Sequence, residues 1–206
     1  YNGKEFIKKT LSGVLRINYP NFEVVLVDNN SEDGSFELIK REFSKIILIK
    51  NSENLGFSAG NNIGIEYALE RGAEYVFLLN YDTQVEKNFL LPLLEIMEKD
   101  KKIGVAGPII LEENDSRVWF SGGKINWLRM KSIHEKDNKK DDYYDSDYIS
   151  GCAILIRSEV FQKIGLFDED YFLYWEDADF GVRAKKAGYK LAICPESRIV
   201  HFEKSQ

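Results

Sequence analysis

Four short apolar runs, each followed by a turn and most by a helix-like segment, constrain this chain more than any other feature. They are "FEVVLVD" (22–28), "KIILIK" (45–50), "YVFLLN" (75–80) and "KIGVAGP" (102–108). Continuous runs of this kind, rich in valine and isoleucine, are those of strands buried on both faces. Between them, "FELIKREF", "NNIGIEYALERG" and residues 88–99 read as helices. Gly72 is a stop for the second, and Pro92 belongs in the first turn of the third or at a kink. Ile7, Leu11, Val14 and Leu15 recur at helical spacing, so residues 4–17 read as a helix ahead of the first run. Strands alternating with helices imply right-handed crossovers and a mostly parallel sheet. The expected class is α/β, a layered domain with a central sheet flanked by helices.

Beyond residue 108 the rhythm loosens. "RVWFSGG" and "YISGCAILIR" read as strands of another type, and the polar stretch 124–147 as a solvated loop, with acceptor binding its lesser reading. A helix over 177–187 closes at Gly188, and "YKLAICP" and "SRIVHF" finish as strands. The 206 residues suit one sizeable domain.

Lys+Arg 28 against Asp+Glu 34 gives 28 − 34 = −6, which argues against a chain that coats nucleic acid. It leaves room for a small anionic ligand, because a bound metal neutralises phosphate locally. Cys152 and Cys194 lie far apart in apolar runs and read as buried free thiols, which fits a reducing cytoplasm. No apolar run approaches the roughly 20 residues of a membrane span. "YNGKEF" reads like the end of a turn, as though a strand came before it.

In open parallel sheets, ligands bind beyond the carboxyl ends of the strands. Three successive strand ends here carry Asp and Asn: Asp28, then Asn51 and Asn54, then Asn80 with Asp82. Each alone is commonly a plain turn residue; their shared rim is what draws attention. Asp28 suits either an Asx turn or a ribose hydroxyl or base N–H. "NLGFSAGNNIG" offers Gly56 and Gly60 for close backbone approach, then amides at a helix start that suit anions. It lacks the lysine of a P-loop. Asp82 sits where a hard cation could share phosphate oxygens, and Asn80 could add a carbonyl ligand or bind a sugar. His201 ends an apolar run; it reads as structural or as a further metal ligand.

"YFLYWEDADFGVRAKKAGYK" (171–190) poses a sharper choice. Glu176 and Asp177 open a helix, where Asp commonly caps and the dipole favours the anion. Yet two carboxylates follow Tyr171, Phe172, Tyr174 and Trp175, an aromatic platform of the kind sugar rings stack on. From the residues alone, capping and general-base chemistry both stand.

Taken together, "YNG", "VLVDNNSEDGS", "NLGFSAGNNIG", "LLNYDT", "SGCAILIR", "GLFDEDYFLYWEDADFGVRAKKAGY" and "IVHF" resemble the inverting, nucleotide-sugar-dependent glycosyltransferases of the family 2 type, with the GT-A fold. "NLGF" with "LNYDT" is similar to the rhamnosyltransferase-like subgroup. The resemblance implies one catalytic domain, with 1–108 as its nucleotide-sugar-binding half and 109–206 as its acceptor and catalytic half. It implies that Tyr1 and Asp28 hold the base and ribose, and that Asn54, Gly56 and Asn61 line the donor pocket. Asn80 would meet the donor, and Gly151 would flank its sugar. Asp82, with His201, would hold a divalent cation, Mn2+ or Mg2+. Asp177 would be the base for the acceptor hydroxyl, Glu176 would orient the acceptor, and Tyr174 and Trp175 would line its side. Asn80 departs from the family's pattern, standing where the first acid of its DxD element is expected.

The implied partners are a UDP- or dTDP-sugar donor and a glycan or lipid-linked acceptor, in bacterial polysaccharide synthesis. The implied place is the cytoplasm, at the inner face of the membrane, with peripheral attachment through segments outside this chain. A sugar-phosphate nucleotidyltransferase is the alternative, but its Gly-rich basic loop is not seen near the N-terminus. A receiver-like signalling module would explain "VLVDNN" but not "YWED".

Overall fold

The computed structural model describes residues 1–113, 117–137 and 141–202. Helix α1 (Lys4–Val14) turns Ile7 and Leu11 inward, where they pack with Ile39 and Ile46. Strand β1 (Val25–Asp28) runs parallel to β2 (Ile47–Lys50) across helix α2 (Ser35–Glu42). This pair forms its own two-stranded sheet. Helix α3 (Gly56–Glu70) then leads to β3 (Tyr75–Leu79), the short β4 (Thr83–Val85) and helix α4 (Leu90–Lys99). Pro92 falls in the first turn of α4, where the missing N–H costs no helical bond.

The second half supplies β5 (Ile103–Glu112), β6 (Val118–Phe120), β7 (Gly123–Asn126), β8 (Lys131–His134) and β9 (Tyr144–Asp145). Strand β10 (Ala153–Arg157), helices α5 (Ser158–Ile164) and α6 (Glu176–Lys186), and strand β11 (Lys190–His201) complete it. The main sheet has seven strands along the path β3-β10-β5-β11-β4, with β6 on β5 and β9 on β11.

That sheet is mixed, which corrects the mostly parallel arrangement expected from the strand–helix rhythm. Strand β10 enters between β3 and β5 and is antiparallel to both, while β5 and β11 are parallel. The α/β class with flanking helices holds. The stretch 124–147, expected to be a solvated loop, instead holds most of the β7–β8 hairpin and β9, with residues 138–140 outside the described set. The two final runs are one strand, β11, whose register with β5 shifts between Cys194 and Arg198. Pro195 sits in that irregularity, where a ladder N–H is not needed.

One apolar core, from Ile65 to Ile199, spans both halves of the chain, with Val105, Ala106, Ile154 and Ile156 at its centre. Cys152 and Cys194 are buried free thiols, as expected. Among the described residues, no helix is long and apolar enough to cross a membrane.

Candidate active site

The rim begins at the end of β1. Asp28 is buried, and its Oδ2 accepts the Ser31 N–H at 3.0 Å, so the carboxylate closes the turn that follows it. Beside it, Asn29 joins three elements. Its amide donates to the Gly56 carbonyl at 2.8 Å and its Oδ1 accepts from Asn51 at 2.7 Å. The N-terminal segment lies over this turn. Asn2 N–H donates to Ser31 Oγ, Glu32 N–H to Asn2 Oδ1, and Lys4 N–H to Asp33 Oδ2. Tyr1 is left 47% exposed above it. Gly3 rests on the Tyr81 ring so closely that a β-carbon there would come 2.7 Å from it. The opening "YNG" thus bridges the Asp28 turn and the Tyr81–Asp82 turn.

At the start of α3 the amides expected to suit an anion already have partners. Gly56 N–H donates to Asn54 Oδ1 at 3.1 Å, and Phe57 N–H to the Phe172 carbonyl at 2.7 Å. Asn61 donates to the Phe57 carbonyl within its own helix. Asn54 is exposed, and Gly56 is buried with φ at +81° against Phe172. The loop therefore closes on the aromatic segment rather than standing open.

Asp82 and His201 come together through strand register. Strand β11 pairs antiparallel with β4, placing His201 opposite Thr83 and beside Asp82. The Phe202 N–H donates to the Asp82 carbonyl at 2.8 Å. Asp82 Oδ1 lies 3.4 Å from His201 Nε2. Among the described residues, neither Asp82 Oδ1 nor His201 Nδ1 has a hydrogen-bond partner, although both are buried. Leaving such a group unmet costs about 1–3 kcal/mol, so an unmet pair calls for a reason. A hard divalent cation taking a carboxylate and an imidazole fits these residues. Trp119 packs edge-on to His201 at 5.0 Å and to His134 at 4.7 Å, walling this side.

The turn before β10 connects this pair to the carboxylates. Asn80 N–H donates to the Cys152 carbonyl at 2.9 Å, so the strand end that carries Asn80 abuts Gly151–Cys152. Gly151 N–H in turn donates to Asp177 Oδ2 at 3.1 Å, and Ala178 N–H donates to Asp177 Oδ1 at 2.7 Å. Burial pushes the Asp177 carboxyl up, against the pull of these amides. Glu176 is buried, its Oε2 has no partner among the described residues, and burial with the neighbouring Asp177 charge raises it to about 7. A carboxyl poised there changes protonation near neutral pH, which is a mark of functional sites. Tyr148, whose hydroxyl burial also pushes up, senses the Asp177 charge from the other side.

The aromatic segment is held in strained backbone. Tyr174 and Trp175 both have φ above +70°, at +71° and +75°. Such a conformation costs bulky residues about 1–3 kcal/mol each and persists only where the surroundings impose it. Phe172, Leu173, Tyr174 and Trp175 are all exposed beside the buried Glu176. Asp179 plays no part here; it pairs with Arg183 at 2.7 Å along the helix. A surface cleft of about 430 Å³ lined by Tyr75, Glu98 and Arg157 opens at the other end of β3, away from these groups.

Sequence reasoning missed Asn62, Trp119 and Tyr148 as parts of the site's frame, and placed Asn29 on the rim without a role. Asn62 is buried in α3, donates to the Phe167 carbonyl and Glu169, and accepts the Phe167 N–H. Its signal was present: two adjacent asparagines inside a helix are poor choices unless their amides are used. Trp119 and Tyr148 carried no comparable sign.

Comparison with known proteins adds the following. The Glycosyl transferase family 2 model matches residues 1–165, so Glu176 and Asp177 lie beyond the match. A dTDP-rhamnosyl transferase of Shigella flexneri, RfbF, is 28% identical over 91% of this chain and 62% of its own length. An N-acetylglucosaminyl-diphospho-decaprenol L-rhamnosyltransferase of Mycobacterium tuberculosis is 26% identical over 87% and 66%. The chain thus spans about two thirds or less of these relatives. The mannosyltransferase PcManGT from Pyrobaculum calidifontis, solved with GDP-Man and Mn2+, superposes with a TM-score of 0.76 at 18% identity, over 100% of this chain and 55% of that one. GalNAc-T7, solved with UDP, GalNAc and Mn2+, gives 0.78 at 20% identity, over 97% and 41%. At these identities the likeness establishes the fold, the GT-A arrangement. The family match does not support the nucleotidyltransferase alternative. By the match over residues 1–165 of its 206, this chain belongs to glycosyl transferase family 2.

Proposed function

We propose that this chain is the catalytic domain of a hexosyltransferase that moves a sugar from a nucleoside-diphosphate sugar to an acceptor hydroxyl with inversion. The acceptor is a glycan or lipid-linked saccharide of bacterial surface-glycan synthesis, met at the cytoplasmic face of the membrane. The names of the relatives, rhamnosyltransferases among them, favour a dTDP-sugar over a UDP-sugar as donor.

The observation that carries this reading is the Gly151–Cys152 turn. It touches the Asn80 strand end, two residues before Asp82, on one side and Asp177 on the other, so the segment leading to the cation ligands and the carboxylate pair meet at one short stretch of backbone. Tyr1 and Asp28 hold base and ribose, with Asn54, Gly56 and Asn61 behind them and Asn80 and Gly151 against the sugar. Asp82 and His201 would hold Mn2+ or Mg2+, which when bound would supply positive charge beside the leaving diphosphate. Asp177 takes the proton of the acceptor hydroxyl as its oxygen bonds to the anomeric carbon and the bond to the diphosphate oxygen breaks. The carboxylate offers about four acceptor sites against the three backbone N–H groups of Gly151, Asp177 and Ala178, which leaves room for that proton. Glu176 orients the acceptor, and Tyr174 and Trp175 face its sugar.

Thermal denaturation with dTDP, UDP and GDP, each with and without Mn2+, tests the reading. A metal-dependent rise in midpoint for one nucleotide is the expected result, since a ligand of the native state stabilises it by linkage. No rise with any of them, in a chain that folds, would overturn it.

A further inference from the structure

The β7–β8 hairpin carries a surface that the transfer reaction does not use. Its turn is Asn126-Trp127-Leu128-Arg129, closed by the Arg129 N–H donating to both the carbonyl and Oδ1 of Asn126. Trp127 and Leu128 therefore occupy the central turn positions, where Gly, Asn, Asp or Pro is the usual choice. They are 63% and 94% exposed, and Met130 follows at 68%, with φ at +48°. Ile133 adds a further exposed apolar side chain on β8. Large apolar groups set at the tip of a tight, projecting turn signal contact with something apolar.

The surrounding charges say what that is. From residue 124 to 133 the chain carries Lys124, Arg129 and Lys131 and no acidic residue, although its net charge is −6. All three are exposed, and Lys124 lies near the Asp147 carboxylate. Tryptophan, leucine and methionine ringed by lysine and arginine is the composition of segments that settle at the headgroup level of an anionic bilayer. The root of the hairpin touches the site: Gly123 bridges to Tyr148, and His134 packs on Trp119, the ring that also meets His201.

We propose that this hairpin tip is a membrane-docking element, seating Trp127, Leu128 and Met130 in an anionic bilayer surface. That it thereby presents the site to a lipid-linked acceptor rests on the function proposed above; the docking itself does not.

Co-sedimentation with vesicles tests it, using equal parts phosphatidylcholine and phosphatidylglycerol against phosphatidylcholine alone. The chain is expected to pellet with the anionic vesicles and much less with the neutral ones. Trp127→Ser/Leu128→Ser/Met130→Ser should lower partitioning about tenfold or more. Arg129→Glu/Lys131→Glu should remove the preference for the anionic vesicles. Unchanged urea midpoints would show that both variants fold. Asp82→Ala should pellet as the parent chain does; if it does so while no nucleotide binds even the parent, the function proposal falls and the docking stands. A parent chain that stays in solution, or a triple variant that pellets equally, overturns the docking. So does a dimer that the triple variant splits, with no vesicle binding, because a second copy would then cover the tip.

Discussion

The Gly151 amide donates to Asp177 Oδ2 at 3.1 Å, joining the turn before β10 to the first turn of α6. The bond orients the carboxylate from outside its own helix. The bond favours the charged form, but burial outweighs it and raises the Asp177 carboxyl, a group prepared to accept a proton.

Asp177→Asn keeps the shape but only one of the two backbone partners, because its NH2 cannot accept an N–H, and it loses the basic oxygen. Transfer should fall about a hundredfold or more, while nucleotide affinity stays near that of the parent. Because burial raises this carboxyl, the acid limb of the transfer rate should lie above the ordinary aspartate range. Unchanged turnover in the variant would remove Asp177 from the role of base.

Glu176 offers a stability test. Its carboxyl is raised to about 7 in the folded chain from an ordinary 4.5, so between those values the folded state holds a proton that the unfolded state has lost. Stability should therefore fall as pH rises through this window, by up to about 3 kcal/mol from this group. Glu176→Gln should flatten that slope and gain most at pH 8. Urea denaturation of both chains at several pH values would read it; parallel slopes would refute it.

His201→Ala and Asp82→Ala should each weaken Mn2+-dependent nucleotide binding about tenfold or more, and the double variant should do little worse than the weaker single one. Titration calorimetry with and without EDTA would measure this. Metal-dependent binding that survives both changes would exclude the pair as ligands.

Gly56→Ala should destabilise the fold by about 2 kcal/mol or more, since φ is +81° and the new carbon would lie 2.5 Å from the Phe172 carbonyl. The same change at Gly72, also at positive φ but with nothing within 4 Å, should cost less. Denaturant midpoints of the two variants decide the order.

Helices α1 to α4 and α6 and the strands of the apolar runs were legible because each announces itself locally, through periodicity or a continuous apolar run. Helix α5 was not, and β1 and β2 are half-buried rather than buried on both faces. Sheet direction was not legible either. Ile154 and Ile156 look the same whether β10 pairs parallel or antiparallel, and only its insertion between β3 and β5 settles the matter. The pairing of Asp82 with His201 was hidden for a similar reason. It depends on the register of β11 against β4, a three-residue strand too short to signal itself. The motif resemblance named both residues but could not supply the 3.4 Å approach of His201 Nε2 to Asp82 Oδ1 that brings them together.

The contact between Gly56 and the aromatic segment has one more consequence. The Phe57 N–H, next to Gly56, donates to the Phe172 carbonyl, an atom that every amino acid possesses. The exposed side chains of Tyr171, Leu173 and Tyr174 make no part of that bond. Those positions are therefore open to drift, and a lineage could retune what it recognises on this side without unseating the donor loop.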